Sequence, residues 1–143
     1  MLKILITGGS GFIAKWLVES LVSRKDVELH VLYRQKSDQI KGQNISNNLC
    51  CDIRDQRSLK KALKNVEFDY VVHLAAQSNN QKPEVSLFET FQTNIQGTLN
   101  LLQVCSVKSL KGFILASSSI VYEHSKQIPI KESYKLSGKN AYA

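Results

Sequence analysis

Residues 2–14, LKILITGGSGFIA, decide the fold class of this 143-residue chain. Leu2–Thr7 is a short apolar run of the kind that forms a strand covered on both faces. Gly8, Gly11 and Ala14 follow it directly, at the spacing G-x-x-G-x-x-[GA]. The stretch therefore predicts a strand that passes through a glycine turn into a helix.

Small residues at these positions suit a phosphate-bearing ligand. Gly8 permits a tight turn off the strand. Gly11 lets a pyrophosphate approach the backbone at the positive end of a helix, and Ala14 lets that helix lie close to the strand. Glycines also suit any strand-to-helix turn, but their place after the first strand favours a dinucleotide. The predicted loop comprises Gly8, Ser10, Gly11, Phe12 and Ile13.

The rest of the chain alternates between apolar runs and stretches with helical spacing. Strands are predicted at 27–33, 48–53, 68–76 and 111–117, and helices at 12–22, 58–63 and 84–107. Such alternation implies parallel strands joined by helical crossovers. We therefore predict one α/β domain over residues 1–143, a doubly wound Rossmann-type parallel sheet of about five strands with helices on both faces.

Composition excludes several classes of protein. Apolar residues make up 43% of the chain and charged residues 22%, which is ordinary for a globular domain. The net charge of +7 is scattered, so nucleic acid is not an expected partner. No apolar run is long enough for a membrane span or a signal peptide, which predicts a cytoplasmic protein. Three cysteines, two of them adjacent, predict reduced thiols, and no pattern predicts a metal site.

The glycine stretch also carries a family resemblance. Residues 6–14, ITGGSGFIA, resemble the TGGxGFIG opening of the extended branch of the short-chain dehydrogenase/reductase superfamily, with Ala14 in place of the last glycine. That branch contains nucleotide-sugar epimerases, dehydratases and reductases. The resemblance runs the length of the chain and implies an NAD or NADP cofactor and a nucleotide-sugar substrate. It also implies that the substrate-binding part of such an enzyme lies beyond these 143 residues.

Ligands of open parallel sheets bind at the carboxyl ends of the strands, so the residues at those positions are the candidates for binding and chemistry. After the second strand, Tyr33 and Arg34 stand where NAD-specific sites usually have an acid. Arg34 could pair with a 2′-phosphate, which favours NADP over NAD. The alternative is a solvated arginine in a loop.

After the third strand, residues 52–55 (DIRD) resemble the family segment D-[LIV]-x-D. The resemblance implies that Asp52 accepts a hydrogen bond from the adenine amine and that Ile53 packs on the ring. Asp55 suits the N-cap of the following helix.

After the fourth strand, His73 precedes a segment of small residues. The resemblance implies that Leu74, Ala75 and Ala76 pass along the cofactor and that Gln77 faces the sugar or the nicotinamide ribose. His73 lies on an apolar run, which favours a packed, hydrogen-bonded histidine over a catalytic one.

Asn94 lies in a segment that resembles the N-x-x-G-T segment of the family. A polar side chain flanked by Phe91 and Ile95 needs a buried partner, so Asn94 is expected to help order the active site. The alternative is an asparagine on the helix surface.

Residues 116–123, ASSSIVYE, resemble the S-S-[ST]-x-x-V-Y-G segment after the fifth strand. The resemblance places the active hydroxyl on Ser118 and the cofactor beside Ser117. Tyr142, 24 residues beyond Ser118, resembles the tyrosine of N-P-Y-x-x-S-K. That motif also has a lysine four residues later, which lowers the pKa of the tyrosine. Position 146 lies outside this chain, so residues 1–143 are expected to show no turnover.

The residues after Ser118 bear on the reaction. Sugar 4,6-dehydratases tend to carry acids there, whereas this chain has Ser119 and Ile120. The expected activity is therefore that of an epimerase or a reductase, with a 4,6-dehydratase as an alternative. A non-catalytic dinucleotide-binding module is a second alternative. The long helix also makes a homodimer possible, since the family commonly dimerises there.

Overall fold

The computed structural model describes residues 1–40, 45–78, 87–105, 110–122, 128–138 and 142. Within them, five strands form one parallel sheet in the order β3-β2-β1-β4-β5. The strands are β1 (Leu2–Thr7), β2 (Val27–Tyr33), β3 (Asn47–Cys50), β4 (Tyr70–His73) and β5 (Gly112–Leu115). The prediction of an α/β, Rossmann-type parallel sheet is confirmed.

Helices pack on both faces of this sheet. They are α1 (Phe12–Leu21), α2 (Gln56–Leu63), α3 (Leu87–Phe91) and α4 (Gly97–Cys105). A π-helical turn, Gln92–Gln96, joins α3 to α4, and single 3₁₀ turns occupy Lys36–Asp38 and Ser119–Val121. Alternate residues of β1 face opposite layers, as they must in a strand. Ile6 packs in the cluster of α1, whereas Leu5 packs in the cluster of α2 and α4.

The third strand is shorter than the predicted span of 48–53. It ends at Cys50 because the chain then turns to start α2. The N–H of Asp55 donates to the carbonyl of Asp52 at 3.0 Å, and the Asp55 carboxylate accepts from the N–H groups of Arg57 and Ser58. Asp55 is therefore the N-cap that its position predicted.

The single long helix predicted over 84–107 is described only over 87–105, where it is interrupted by the π-helical turn. Its apolar positions point to solvent: Phe88, Phe91, Ile95 and Leu99 are 46–68% exposed. The side toward the sheet carries Gly97, Asn100 and Leu101 instead. A Cβ on Gly97 would lie 2.7 Å from Ile53, so the close approach of α4 requires glycine there.

The described residues include no helix long and apolar enough to cross a membrane. They also include no group of three or more metal-ligating side chains. Cys50, Cys51 and Cys105 are free thiols, as their number and spacing predicted.

Candidate functional site

The glycine loop brings the carboxyl ends of β1 and β4 into direct backbone contact. Gly8 has φ +72°, a conformation that costs any other L-residue energy. A Cβ on Gly8 would lie 2.8 Å from the nitrogen of Ala75 and 2.9 Å from the carbonyl carbon of Leu74. Both conditions require glycine at position 8.

The loop then opens α1 without a capping side chain. Gly11 is the N-cap; its N–H donates to the carbonyl of Gly8 at 2.8 Å, and its carbonyl accepts from Lys15 at 3.0 Å. The first turn of α1 has no acidic residue, so no side-chain charge within it offsets the positive end of the ten-residue helix. This arrangement suits an anionic group such as a pyrophosphate.

A cleft of about 230 Å³ opens at this loop and crosses the ends of β1 to β4. Ten of the fourteen residues predicted to bind a cofactor line it: Gly8, Ser10, Gly11, Arg34, Asp52, Ile53, Leu74, Ala75, Ala76 and Gln77. Phe12 and Ile13 do not line it, and their side chains are 80% and 61% exposed. Five further residues complete the lining: Leu32, Asp38, Cys51, Arg54 and Thr93.

Charged side chains surround one end of the cleft. Arg54 binds Asp52 through two nitrogens, with Nη2–Oδ2 at 2.7 Å and Nε–Oδ1 at 3.0 Å. Burial raises the pKa of Asp52, but the hydrogen bonds and charge of Arg54 outweigh burial, so this pKa lies below its usual value. Arg54 was not anticipated as a site residue, although it stands beside Asp52 in the DIRD segment. Asp38 was also missed, because it lies five residues beyond β2 in a 3₁₀ turn.

A second cavity of about 210 Å³ lies at the ends of β4 and β5. It brings together Ser118 and Tyr142, the two predicted catalytic residues, and it includes the predicted residues Asn94 and Ser117. Ala75 and Ala76 line both the second cavity and the cleft, so the two hollows lie on either side of the same loop. The hydroxyl of Ser118 accepts a hydrogen bond from the N–H of Ile120 at 3.3 Å.

Asn94 has the partner that its setting predicted. Its Oδ1 accepts from the N–H of Gln77 at 2.7 Å, and its Nδ2 donates to the carbonyl of Gln77 at 3.1 Å. Phe91 and Ile95 do not bury it, since both are about half exposed. Asn94 therefore holds the backbone of the loop after β4 at Gln77 through two hydrogen bonds.

His73 is packed and fully hydrogen-bonded, as predicted. Its ring is 1% exposed, Nδ1 lies 2.6 Å from Oγ1 of Thr7, and Nε2 lies 2.9 Å from Oγ1 of Thr98. Burial lowers the pKa of His73 to about 4. The histidine is therefore neutral near pH 7, and both of its ring nitrogens are engaged by the hydroxyls of Thr7 and Thr98.

A larger hollow than these two lies elsewhere. It has a volume of about 540 Å³ and opens between the last turns of α2 and α4, beside Phe68. Phe68 comes just before β4, so this hollow lies at the amino ends of the strands. None of the predicted site residues lines it. Size alone therefore does not locate the site, whereas the position at the strand carboxyl ends does.

Comparison with known proteins agrees with the dinucleotide-binding fold described above. The model of the NAD dependent epimerase/dehydratase family matches residues 4–143. The bifunctional UDP-glucose 4-epimerase and UDP-xylose 4-epimerase 1 of Pisum sativum is 30% identical over 98% of this chain. This chain covers 43% of the length of that relative.

Two solved structures show both the fold and some sequence similarity. Thermus thermophilus UDP-glucose 4-epimerase in complex with NAD matches with a TM-score of 0.79 and 27% identity. Helicobacter pylori ADP-L-glycero-D-manno-heptose-6-epimerase matches with a TM-score of 0.77 and 29% identity. Each match covers 99% of this chain and 46% of the solved chain.

Proposed function

The chain belongs to the NAD dependent epimerase/dehydratase family, and from that premise we propose that it is the cofactor-binding part of a nucleotide-sugar epimerase or reductase. The observation that carries the proposal is the continuous lining from the glycine loop, through Ala75 and Ala76, to Ser118 and Tyr142. A dinucleotide is long enough to use both hollows, with its nicotinamide end toward the two hydroxyls.

The described residues fit such a cofactor. A Cβ on Gly8 would overlap the β4 loop, and one on Gly11 would lie 3.1 Å from the carbonyl of Gly8, so the cradle depends on both glycines. The uncapped start of α1 would hold the pyrophosphate. At the far end, Asp52 and Ile53 would meet the adenine, as the family resemblance implies.

When bound, NAD(P) accepts or gives a hydride at a sugar carbon. Ser118 would hold the sugar oxygen by a hydrogen bond, and Tyr142 would move the proton of that oxygen. A phenol has an ordinary pKa near 10, so a base of this kind needs a nearby positive charge at pH 7. Among the described residues that line the second cavity there is no lysine or arginine. We therefore expect no turnover from residues 1–143 alone.

The residues that follow Ser118 also bear on the type of reaction. Ser119 and Ile120, directly after Ser118, carry no acid that could remove water from a sugar. This composition favours an epimerase or reductase over a 4,6-dehydratase. The Pisum sativum and Helicobacter pylori epimerases are named for different nucleotide sugars and are 30% and 29% identical to this chain, so the substrate class proposed is a nucleotide-linked sugar.

A second candidate is a dinucleotide-binding module without catalysis. It is favoured by the same lack of a cationic side chain among the described residues of the second cavity. The two functions separate in an assay of hydride transfer. Nicotinamide reduction on addition of a polypeptide that supplies the lysine of the family motif would support the enzyme, and binding without any such reduction would support the module.

The direct test is calorimetric titration of the purified chain with NAD⁺, NADH and NADP⁺. We expect saturable 1:1 binding to at least one of them, and loss of that binding in Gly8→Ala. Absence of heat from all three at millimolar ligand would overturn the proposal. A matched control is Trp16→Ala on the exposed side of α1, which should bind like the parent.

We further propose that the exposed stripe Phe88, Phe91, Ile95 and Leu99 pairs with a second copy of the chain. Exposed apolar stripes of this kind are typical of interfaces. Sedimentation equilibrium should show a dimer that Leu99→Lys disrupts and Trp16→Lys preserves. Equal behaviour of the two variants would contradict this pairing.

A further inference from the structure

A series of buried and partly buried hydrogen bonds runs beside the two hollows, and two of its members, His73 and Thr98, also line the second cavity. The series runs from the N–H of Ala75 to Oγ1 of Thr7 (3.2 Å), to His73, to Oγ1 of Thr98, and on to the carbonyl of Asn94 (2.6 Å). These hydrogen bonds link β1, β4, α4 and the π-helical turn.

The donor and the acceptor of every hydrogen bond in this series follow from the bond that Thr98 makes. The hydroxyl of Thr98 donates to the carbonyl of Asn94, so it can only accept from His73. The neutral ring therefore carries its proton on Nε2, and Nδ1 accepts from the hydroxyl of Thr7. The oxygen of Thr7 in turn accepts from the N–H of Ala75. With the protons placed in this way, both ring nitrogens of His73 and the hydroxyls of Thr7 and Thr98 all have partners.

This series of hydrogen bonds ends on the loop that lines both hollows. Residues 74–77 have no regular secondary structure. Thr7 holds the loop at Ala75, and Asn94 holds it at Gln77. His73 joins the two attachments, because it binds Thr7 directly and binds Asn94 through Thr98. The close contact of Gly8 with Ala75 means that a small shift of the loop changes the shape of the cleft.

We propose that His73 is a positioning residue that fixes the loop 74–77 for cofactor binding through Thr7 and Thr98. The inference rests on the proposed function, since it concerns the same cleft. It assigns His73 no contact with cofactor or substrate. It predicts that the position of the loop depends on the two hydrogen bonds of the imidazole ring and not on the volume of the ring.

Amide hydrogen exchange in the free chain tests this without any ligand. His73→Leu removes both hydrogen bonds at similar size, whereas His73→Gln keeps one acceptor and one donor. We expect exchange of the Gln77 and Ala75 amides to accelerate at least tenfold in His73→Leu and much less in His73→Gln. The Cys51 amide, which donates to Tyr33 in another part of the sheet, is the internal reference. Equal acceleration at Cys51 and Gln77 would show a general loss of stability and overturn the proposal.

His30 provides a matched control. It is also a fully buried histidine of the sheet, and it contacts Glu28, Asn47 and Phe68 rather than the cleft. His30→Leu should destabilise the chain and leave the ratio of Gln77 to Cys51 exchange unchanged. If His30→Leu alters that ratio as much as His73→Leu does, the assignment to His73 is wrong.

Thr98→Val gives a second route if His73→Leu does not fold. It keeps the shape of the side chain and removes only the link from His73 to Asn94. We expect a threefold to tenfold faster exchange at Gln77, and an unchanged rate would contradict the proposal.

Cofactor affinity supplies the functional readout. Dinucleotide binding should weaken about tenfold in His73→Leu, recover in His73→Gln and stay unchanged in His30→Leu. Equal affinities of His73→Leu and the parent would overturn the positioning role. If the parent binds no dinucleotide, the proposed function fails, whereas the exchange experiment still decides the role of His73.

Discussion

The carboxyl ends of β1 and β4 and that of β5 belong to one sheet, yet they are held in different ways. At β1 and β4, Thr7 and His73 are buried, and the loop that follows is fixed by hydrogen bonds from its N–H groups to Thr7 and Asn94. At β5, Ile114 and Leu115 are 57% and 53% exposed. The hydroxyl of Ser118, just beyond, accepts a 3.3 Å hydrogen bond from the N–H of Ile120.

This difference separates binding from chemistry within the fold. The cofactor end is organised by residues of this chain before any ligand arrives, which lowers the cost of ordering it on binding. The end that carries Ser118 and Tyr142 is less constrained by the described residues. We therefore expect substitutions at the ends of β1 and β4 to have large effects on dinucleotide binding and on stability. Substitutions at the end of β5 should have small effects on both.

The largest effect is expected from Gly8→Ala. The positive φ costs about 1 kcal/mol for an L-residue, and the overlap with the Ala75 backbone adds up to about 3 kcal/mol. Urea unfolding should show a total loss on the order of 4 kcal/mol, with no detectable dinucleotide binding. Gly112→Ala in β5 is the control, because its Cβ would meet only the Tyr70 ring, at 3.0 Å, which can shift. A larger loss in Gly112→Ala would reverse the comparison.

The glycine loop and the strand ends could be predicted because their signals are local. The spacing of Gly8, Gly11 and Ala14 and the pattern of alternating elements were sufficient for the fold class. The pairing of Thr7 with His73 was not predictable in this way, since the two residues are 66 positions apart and meet only through the β1–β4 register. Asp38 was missed for a related reason, because a 3₁₀ turn carries it back to the cleft.

The long helix shows where periodicity misleads. Its apolar spacing correctly indicated a helix but not which side faces the sheet. Gly97 and Asn100 occupy the sheet side, where Asn100 donates to the carbonyls of Ile53 and Arg54 at 3.0 and 3.1 Å. A close approach and satisfied polar groups therefore determine the orientation of this helix, and sequence periodicity does not report either.

The next effect in size concerns pH and the buried histidine. The pKa of His73 is about 4 in the folded chain and 6.5 when unfolded, so its contribution is fully present above pH 6.5 and is lost as pH falls toward 4. The difference corresponds to about 3 kcal/mol. His73→Gln cannot titrate at this position, so the stability advantage of the parent over this variant should shrink by that amount from pH 7 to pH 4.

Urea titrations of both proteins at several pH values measure this. The lowered pKa values of His30 and Asp52 are common to both proteins and cancel in the difference. A difference in unfolding free energy that does not depend on pH would show that His73 is not kept neutral by burial.

A smaller effect is expected at the far end of the cleft. Arg34 and Asp38 line it with opposite charges, and a 2′-phosphate would be attracted by the first and repelled by the second. Arg34→Ala should weaken NADP⁺ binding about tenfold, or about 1.4 kcal/mol, and NAD⁺ binding far less. Asp38→Asn should improve NADP⁺ binding. Arg24→Ala, which removes an exposed arginine paired with Asp26, is the control. Equal losses for both cofactors in Arg34→Ala would contradict the NADP preference that the sequence predicts from Arg34.

The smallest effect is expected from Ser118→Ala, and it tests the other side of the comparison. The hydroxyl of Ser118 accepts one long hydrogen bond in an exposed 3₁₀ turn, so its removal should change the unfolding free energy by less than about 0.5 kcal/mol. Dinucleotide affinity should also stay within twofold, because the proposed partner of the Ser118 hydroxyl is the sugar oxygen of the substrate and not the nicotinamide end that shares the second cavity. Calorimetry and urea unfolding of the same preparation measure both quantities. A hydroxyl that matters neither for folding nor for cofactor binding is available for a substrate, whereas a tenfold loss of dinucleotide affinity would place Ser118 in the cofactor site and remove the separation between binding and chemistry.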